Sequence, residues 1–389
     1  MRSVIRKRIT LLFLAFASGF LDYSRVSACT FCSGNFTNRQ TLRERSAGAT
    51  VIVHGTLSDS KFGPDGKGTT DLVITTHLKS DAKLGKLAKL TIPQYLPAIG
   101  DTPKEYLLFA SVVDGKLDVT GGVPVPPAAI EYVKSSLEQP ANDSAKRLAF
   151  YFQYLDSAEA AISGDAFLEF AKATDVEITK AAAGFDVAKI RKWLADSATP
   201  AERLGVYAVL LGLCGKPGDE KPIQQLLNQS PRAERVSGNL GGLLAGWTLL
   251  DAKRGWANLG ELAANAKAPF DERLAAIGTI RYFQTTHPKE SRREIVAIYR
   301  TLVGQGDLAD MAVEDLRRWG WWELTNEVVT PFDAPTHKAP IIRQAIVRYA
   351  LTCPEMAAKR FLDQVRKSDP AVVEKVEEGL KRFAAPSMK

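Results

Sequence analysis

Cysteine and histidine are scarce in this chain, with four of each among 389 residues. Structural zinc wants four such ligands, usually from two Cys-x-x-Cys pairs, and a single pair is present, Cys29-Thr-Phe-Cys32. Nucleophile elbow, phosphate loop, HExxH helix and paired-carboxylate motif are all missing, so no reaction is named by the sequence. Runs of one charge are missing too. The 51 Lys and Arg are interspersed with 44 Asp and Glu, and no basic stretch tracks a phosphate backbone, which excludes nucleic acid as the expected partner. No segment is biased enough in composition for long disorder.

The N-terminal apolar run, Ile9 to Leu21, is too short to span a bilayer comfortably. Preceded by Arg2, Arg6, Lys7 and Arg8, it reads as a secretory signal over residues 1–28. Cleavage after Val26-Ser27-Ala28 would release a chain starting at Cys29; cleavage after Ala15-Phe16-Ala17 would start it at Ser18. Four of the seven net positive charges lie within residues 1–28, leaving a mature charge of only three. The expected location is the periplasm, cell envelope or exterior. Membrane attachment would follow only from an uncleaved signal or from lipidation of Cys29, whose preceding residues loosely match a lipobox.

Residues 49–123 carry strand signals. Ala49 to Leu57 alternates, with Val51, Val53 and Leu57 on one face and Thr50, His54 and Thr56 on the other. A glycine-rich turn at 63–68 precedes a strand at Thr69–Leu78, and Lys89–Ile92 reads as a third. Glu105–Val113 and Lys116–Thr120 flank Asp114-Gly115, a two-residue hairpin turn. Five short strands in so short a span suggest a small closed barrel of OB type. Gly122 to Pro127 reads as a stiff connector, and Ala128–Leu137 as a helix.

Cys29-Thr-Phe-Cys32, the 49–57 strand, Lys104-Glu-Tyr-Leu-Leu-Phe109 and Asp114 to Thr120 together resemble the netrin-like module, the OB-type barrel of the tissue inhibitors of metalloproteinases. The resemblance implies a barrel over 29–138. It also implies that Cys29, once N-terminal, could chelate a partner protease's zinc through its amine and carbonyl. That family's barrel is stapled by several disulfides, whereas this module offers Cys29 and Cys32 alone.

After a linker at 139–143, residues 144–385 read as helix throughout. Leu168, Leu204, Leu240, Leu274, Leu308 and Ile342 recur every 34 to 36 residues, and proline or glycine punctuates between them. A fixed period near 35 is the mark of stacked helix pairs. The stretch resembles HEAT-like α/α repeats, giving an α-solenoid of about six pairs. The fold class is therefore β plus α, and the whole is similar to exported bacterial proteins.

The chemistry-bearing candidates are few. Cys29 and Cys32 could form a disulfide, half a metal site or a redox pair, with His54 and His77 as further metal ligands. Cys214 and Cys353 fall in separate repeats, beyond disulfide reach. Arg317, Arg318 and Trp321 in Arg-Arg-Trp-Gly-Trp-Trp322 offer a binding platform, although aromatics at helical spacing commonly pack in a core. Trp193, Trp247 and Trp256 share that default. His287 and His337, beside loop prolines, are expected to face solvent, and Asn35 and Asn142 match glycosylation acceptors. No cofactor is expected. The reading is a non-catalytic exported scaffold that engages a protein or an envelope polymer through its solenoid surface. The alternative is thiol or metal chemistry, or metalloprotease inhibition, at Cys29-x-x-Cys32.

Overall fold

A computed structural model describes residues 29–32, 38–63, 67–82, 85–97, 104–229 and 233–384. The signal segment with both cleavage sites, the Asn35 acceptor and the centre of the 63–68 turn lie outside these residues. Chain order begins with a short helix, α1 (Leu42–Gly48), started by a capping box in which Thr41 and Glu44 satisfy each other's backbone N–H groups. Five strands follow: β1 (Val51–Phe62), β2 (Gly68–Lys79), β3 (Lys89–Ile92), β4 (Glu105–Val113) and β5 (Lys116–Pro124). Asp114 and Gly115 both have positive φ, as a type I′ turn requires.

All pairings are antiparallel and the order is β3-β2-β1-β4-β5. The sheet is open, with β3 and β5 as its edges, rather than the closed barrel expected. β5 also runs four residues past its expected end, to Pro124, taking in the first half of the expected connector. Gly121 and Gly122 permit this, since a Cβ on Gly122 would lie 2.2 Å from the Tyr106 ring across the ladder.

Both faces of the sheet are covered. Val51, Val53, Leu57, Leu72, Leu108 and Ala110 form one apolar cluster, while Ile52, Leu107 and Phe109 on the other face join the core of the helices. Alternation predicts a single buried face, and β1 departs from it because its second face joins one core with α1, which packs on β4, and α2 (Ala128–Leu137), which packs on α1.

The remaining helices are α3 (Ser144–Phe152), α4 (Ala160–Lys172), α5 (Asp175–Ala181), α6 (Val187–Ala195), α7 (Leu204–Cys214), α8 (Lys221–Leu227) and α9 (Glu234–Ser237). Then come α10 (Leu240–Leu250), α11 (Ala252–Ala264), α12 (Phe270–Thr286), α13 (Pro288–Leu302) and α14 (Ala309–Trp319). The chain closes with α15 (Thr325–Val329), α16 (Pro340–Thr352), α17 (Met356–Ser368) and α18 (Pro370–Ala384). Neighbouring packing runs α7 on α10, α10 on α12, α14 on α16 and α16 on α18. α5 also packs directly on α12, much further along the chain.

Three rungs of the leucine ladder lie at helix starts. Leu204 and Leu240 open α7 and α10, Leu308 immediately precedes α14, and all are buried, as are Leu168 and Ile342. Leu274 is the exception at 36% exposure. Its neighbour Arg273, 1% exposed, takes the inward position and reaches Asp307 and Gln305 in the next turn of the period. Polar contacts recur at the same spacing. Arg281 Nε donates to Asp315 at 2.7 Å, His337 Nε2 lies 2.9 Å from the Val303 carbonyl, and Gly205 N–H donates to Asn239 at 3.4 Å, each across 34 residues.

The 139–143 segment is a turn, and packing continues across it. Asp165 on α4 accepts from the Leu42 N–H and the Tyr132 hydroxyl, both at 2.7 Å, joining α1, α2 and α4. One helical turn on, Glu169 accepts a bidentate pair from Arg43. Burial pushes the Asp165 carboxyl up to about 6, against the pull of its hydrogen bonds. A carboxyl that holds its proton more tightly when folded makes stability fall as pH rises from near 4 to about 6, then level off. The fall is worth up to about 3 kcal/mol. Urea unfolding of the wild type and Asp165→Asn across pH 4 to 7 should show this slope in the difference between them; parallel curves would refute it.

Candidate functional site

The Cys29–Cys32 turn does not lie on the sheet. It is held against the helices by its two middle residues. Thr30 donates from its backbone N–H (3.1 Å) and hydroxyl (2.5 Å) to the two oxygens of Asp175, the first residue of α5. A carboxylate there is favoured by the helix N-terminus, whose Thr174–Glu177 capping box fixes the local backbone. The Phe31 ring packs 5.1 Å from Tyr282 on α12. The Phe31 backbone and ring also lie over Gly205 and Gly241, where an added Cβ would come within 3.3 Å. The approach is tight at these two positions.

This docking leaves the cysteines at the two ends of a tight turn closed by Cys32 N–H to Cys29 O at 3.4 Å. Both thiols are free and half-buried. Burial chiefly, then the neighbouring Cys29 thiol and the Asp175 charge, push the Cys32 thiol well above the ordinary thiol range. A thiol held protonated is a poor nucleophile at neutral pH. Beside Cys32, an open groove of about 200 Å³ is floored by Gly238, Gly241, Gly242, Ala275 and Gly278. The Asp175 carboxyl is raised by burial and partly restored by Thr30. The arrangement can present two sulfurs to a ligand.

The two histidines are kept apart by the pleat. His54 pairs across the ladder with Thr76, and the adjacent Val53 pairs with His77, so the two rings project from opposite faces of the sheet. His54 is buried, its Nδ1 3.2 Å from Thr75 and its Nε2 2.8 Å from the Glu105 carboxylate, within ion-pair distance but outside hydrogen-bond geometry. Burial lowers its pKa despite that carboxylate. Among the described residues no three His, Cys, Asp or Glu side chains converge as a metal cluster.

Trp321 is 6% exposed, packed on Trp319 with the Arg292 guanidinium 4.3 Å from its ring, so it belongs to the core. Arg317 and Arg318, joined by Arg348 from α16, surround Glu314 at 2.7, 3.2 and 3.5 Å. Burial would raise the Glu314 carboxyl, yet these three cations hold it below its usual value. Three arginines on one carboxylate leave a surplus of positive charge.

Trp193 is buried, while Trp247 and Trp256 are half-buried. His337 does not face solvent: it is 0% exposed, bonded to Thr336 and Val303. His287 is half-buried beside Thr286 and Phe283. Proline neighbours suggest exposure, but tertiary contacts, Phe283 on His287 and the Val303 carbonyl on His337, cover the rings. Cys214 and Cys353 are free; Cys214 donates to the Leu210 carbonyl, and Cys353 lies 3.4 Å from Thr325.

Asp175, Tyr282 and the glycine floor escape sequence reasoning, because nothing local links residue 30 to residue 175. The small-residue run Gly238-Asn-Leu-Gly-Gly242 is the one signal of a close backbone approach there. Comparison of the chain with protein-family models, curated proteins and solved structures returns no match.

Proposed function

We propose that this protein is an exported, non-catalytic scaffold whose helices form an α-solenoid behind an OB-like sheet, and that it binds a protein or envelope polymer on the solenoid surface. The observation that carries this reading is the recurrence of buried polar and apolar contacts at one repeat's spacing, from Asn239–Gly205 through Arg281–Asp315 to His337–Val303. Contacts of that kind build an extended array from neighbours, and such arrays work as binding surfaces. The surplus charge around Glu314 favours an acidic partner at α14 and α16. The sheet order would suit a barrel that stops short of joining β3 to β5.

The inhibitory role implied by the netrin-like resemblance draws less support. Cys29 is packed beside the helical core, where a protease's zinc would have to displace the turn.

The test is capture from the native envelope fraction with the partner identified by mass spectrometry. Reversing charge with Arg318→Glu and Arg348→Glu should weaken that partner more than tenfold, while replacing both Cys29 and Cys32 with serine should leave it within twofold. Capture that depends on the cysteines and ignores the arginines would overturn the scaffold reading.

A further inference from the structure

We propose that Cys29 and Cys32 together bind one soft monovalent cation of the copper(I) class through their two sulfurs. The donor set decides the metal. Two thiols sit at the ends of one tight turn, closed by Cys32 N–H to the Cys29 carbonyl, and both are free. No third or fourth His, Cys, Asp or Glu joins them among the described residues. Zinc requires four ligands and calcium or magnesium require oxygens, so neither suits the site. Thiolate sulfur selects soft ions, and a d¹⁰ monovalent ion is content with two of them.

The turn is positioned as a binding site would be. Its middle residues are fixed to separate helices, Thr30 by Asp175 and Phe31 by Tyr282, so the spacing of the cysteines does not depend on the turn alone. The groove beside Cys32 gives an entry path from solvent. Binding forms two metal–sulfur bonds and releases two thiol protons to water; no electron moves.

The test is anaerobic titration of the reduced full-length protein with copper(I) in competition with bicinchoninate, and a parallel titration with zinc. One equivalent of copper(I) should be withheld from the chelator, and the uptake should fall at least tenfold in a Cys29→Ser/Cys32→Ser variant whose thermal unfolding matches the wild type. Copper left entirely with the chelator, equal uptake by the serine variant, or zinc held in preference would each overturn the proposal. X-ray absorption on the copper-loaded wild type gives a second measurement independent of any variant. Two sulfur scatterers alone support the site, and a shell containing nitrogen or oxygen refutes it.

Discussion

Gly246→Ala is expected to cost about 3 kcal/mol of unfolding free energy, although alanine is the better helix former. The α7–α10 crossing leaves no room for a methyl group. A Cβ on residue 246 would stand 2.1 Å from the Ala208 carbonyl oxygen, and one on residue 242 would stand 2.4 Å from the Gly205 Cα. Both obstacles are backbone, which cannot swing aside as a side-chain tip would, so the two helices must separate. Separation would open the buried face shared by Leu204, Leu211, Leu243 and Leu250. Gly164→Ala on α4 is the internal control, since nothing lies within 4 Å of its added Cβ. There, propensity should act alone and stabilise by about 1 kcal/mol. Denaturant unfolding of both variants checks the pair. Equal signs would show that the α7–α10 approach is looser than described.

Arg281→Met should destabilise by about 2 kcal/mol at neutral pH, and the deficit should shrink in acid. Asp315 is buried and accepts from Arg281 at 2.7 Å and from the Tyr299 hydroxyl at 2.8 Å. Removing one partner of a buried pair commonly costs 3 to 5 kcal/mol, and the exposed side of Arg281 lowers the expectation here. Burial already raises the Asp315 carboxyl despite its arginine. Without that arginine the carboxyl rises further, so the folded state binds the proton more tightly than the unfolded chain does. Stability is then lost as pH climbs through the interval between the two values and is recovered below it. Unfolding at pH 5 and pH 8 measures the difference. A deficit independent of pH would mean that the lost contact is packing rather than charge.

Much of the secondary structure is legible locally. β3, β4 and α2 have the bounds that alternation and proline placement give, and Asp114-Gly115 turns as its glycine requires. The spacing of 34 to 36 residues in the leucine ladder is legible for the same reason, and five of its six positions are buried in helices or at their starts. Leu274 shows the limit. Pattern alone cannot tell that Arg273 beside it turns inward, because that depends on Asp307 and Gln305 arriving from the next repeat. His337 misleads in the same way. Its loop-like surroundings hide a carbonyl 34 residues earlier that accepts its ring nitrogen.

The sequence by itself determined the strands, the helical period and the pairing of two cysteines on one turn, all properties set within a few residues by backbone geometry and apolar spacing. Tertiary structure alone decided that this turn docks on α5, 145 residues beyond residue 30, and on the still more distant α12, and that the sheet is buried on both faces. Such contacts leave no local trace. If the pair of sulfurs takes up a metal, its site is made by helices the cysteines are not part of. Should the Thr30–Asp175 anchor prove absent in solution, the turn would be an ordinary chain segment with two thiols and no fixed geometry.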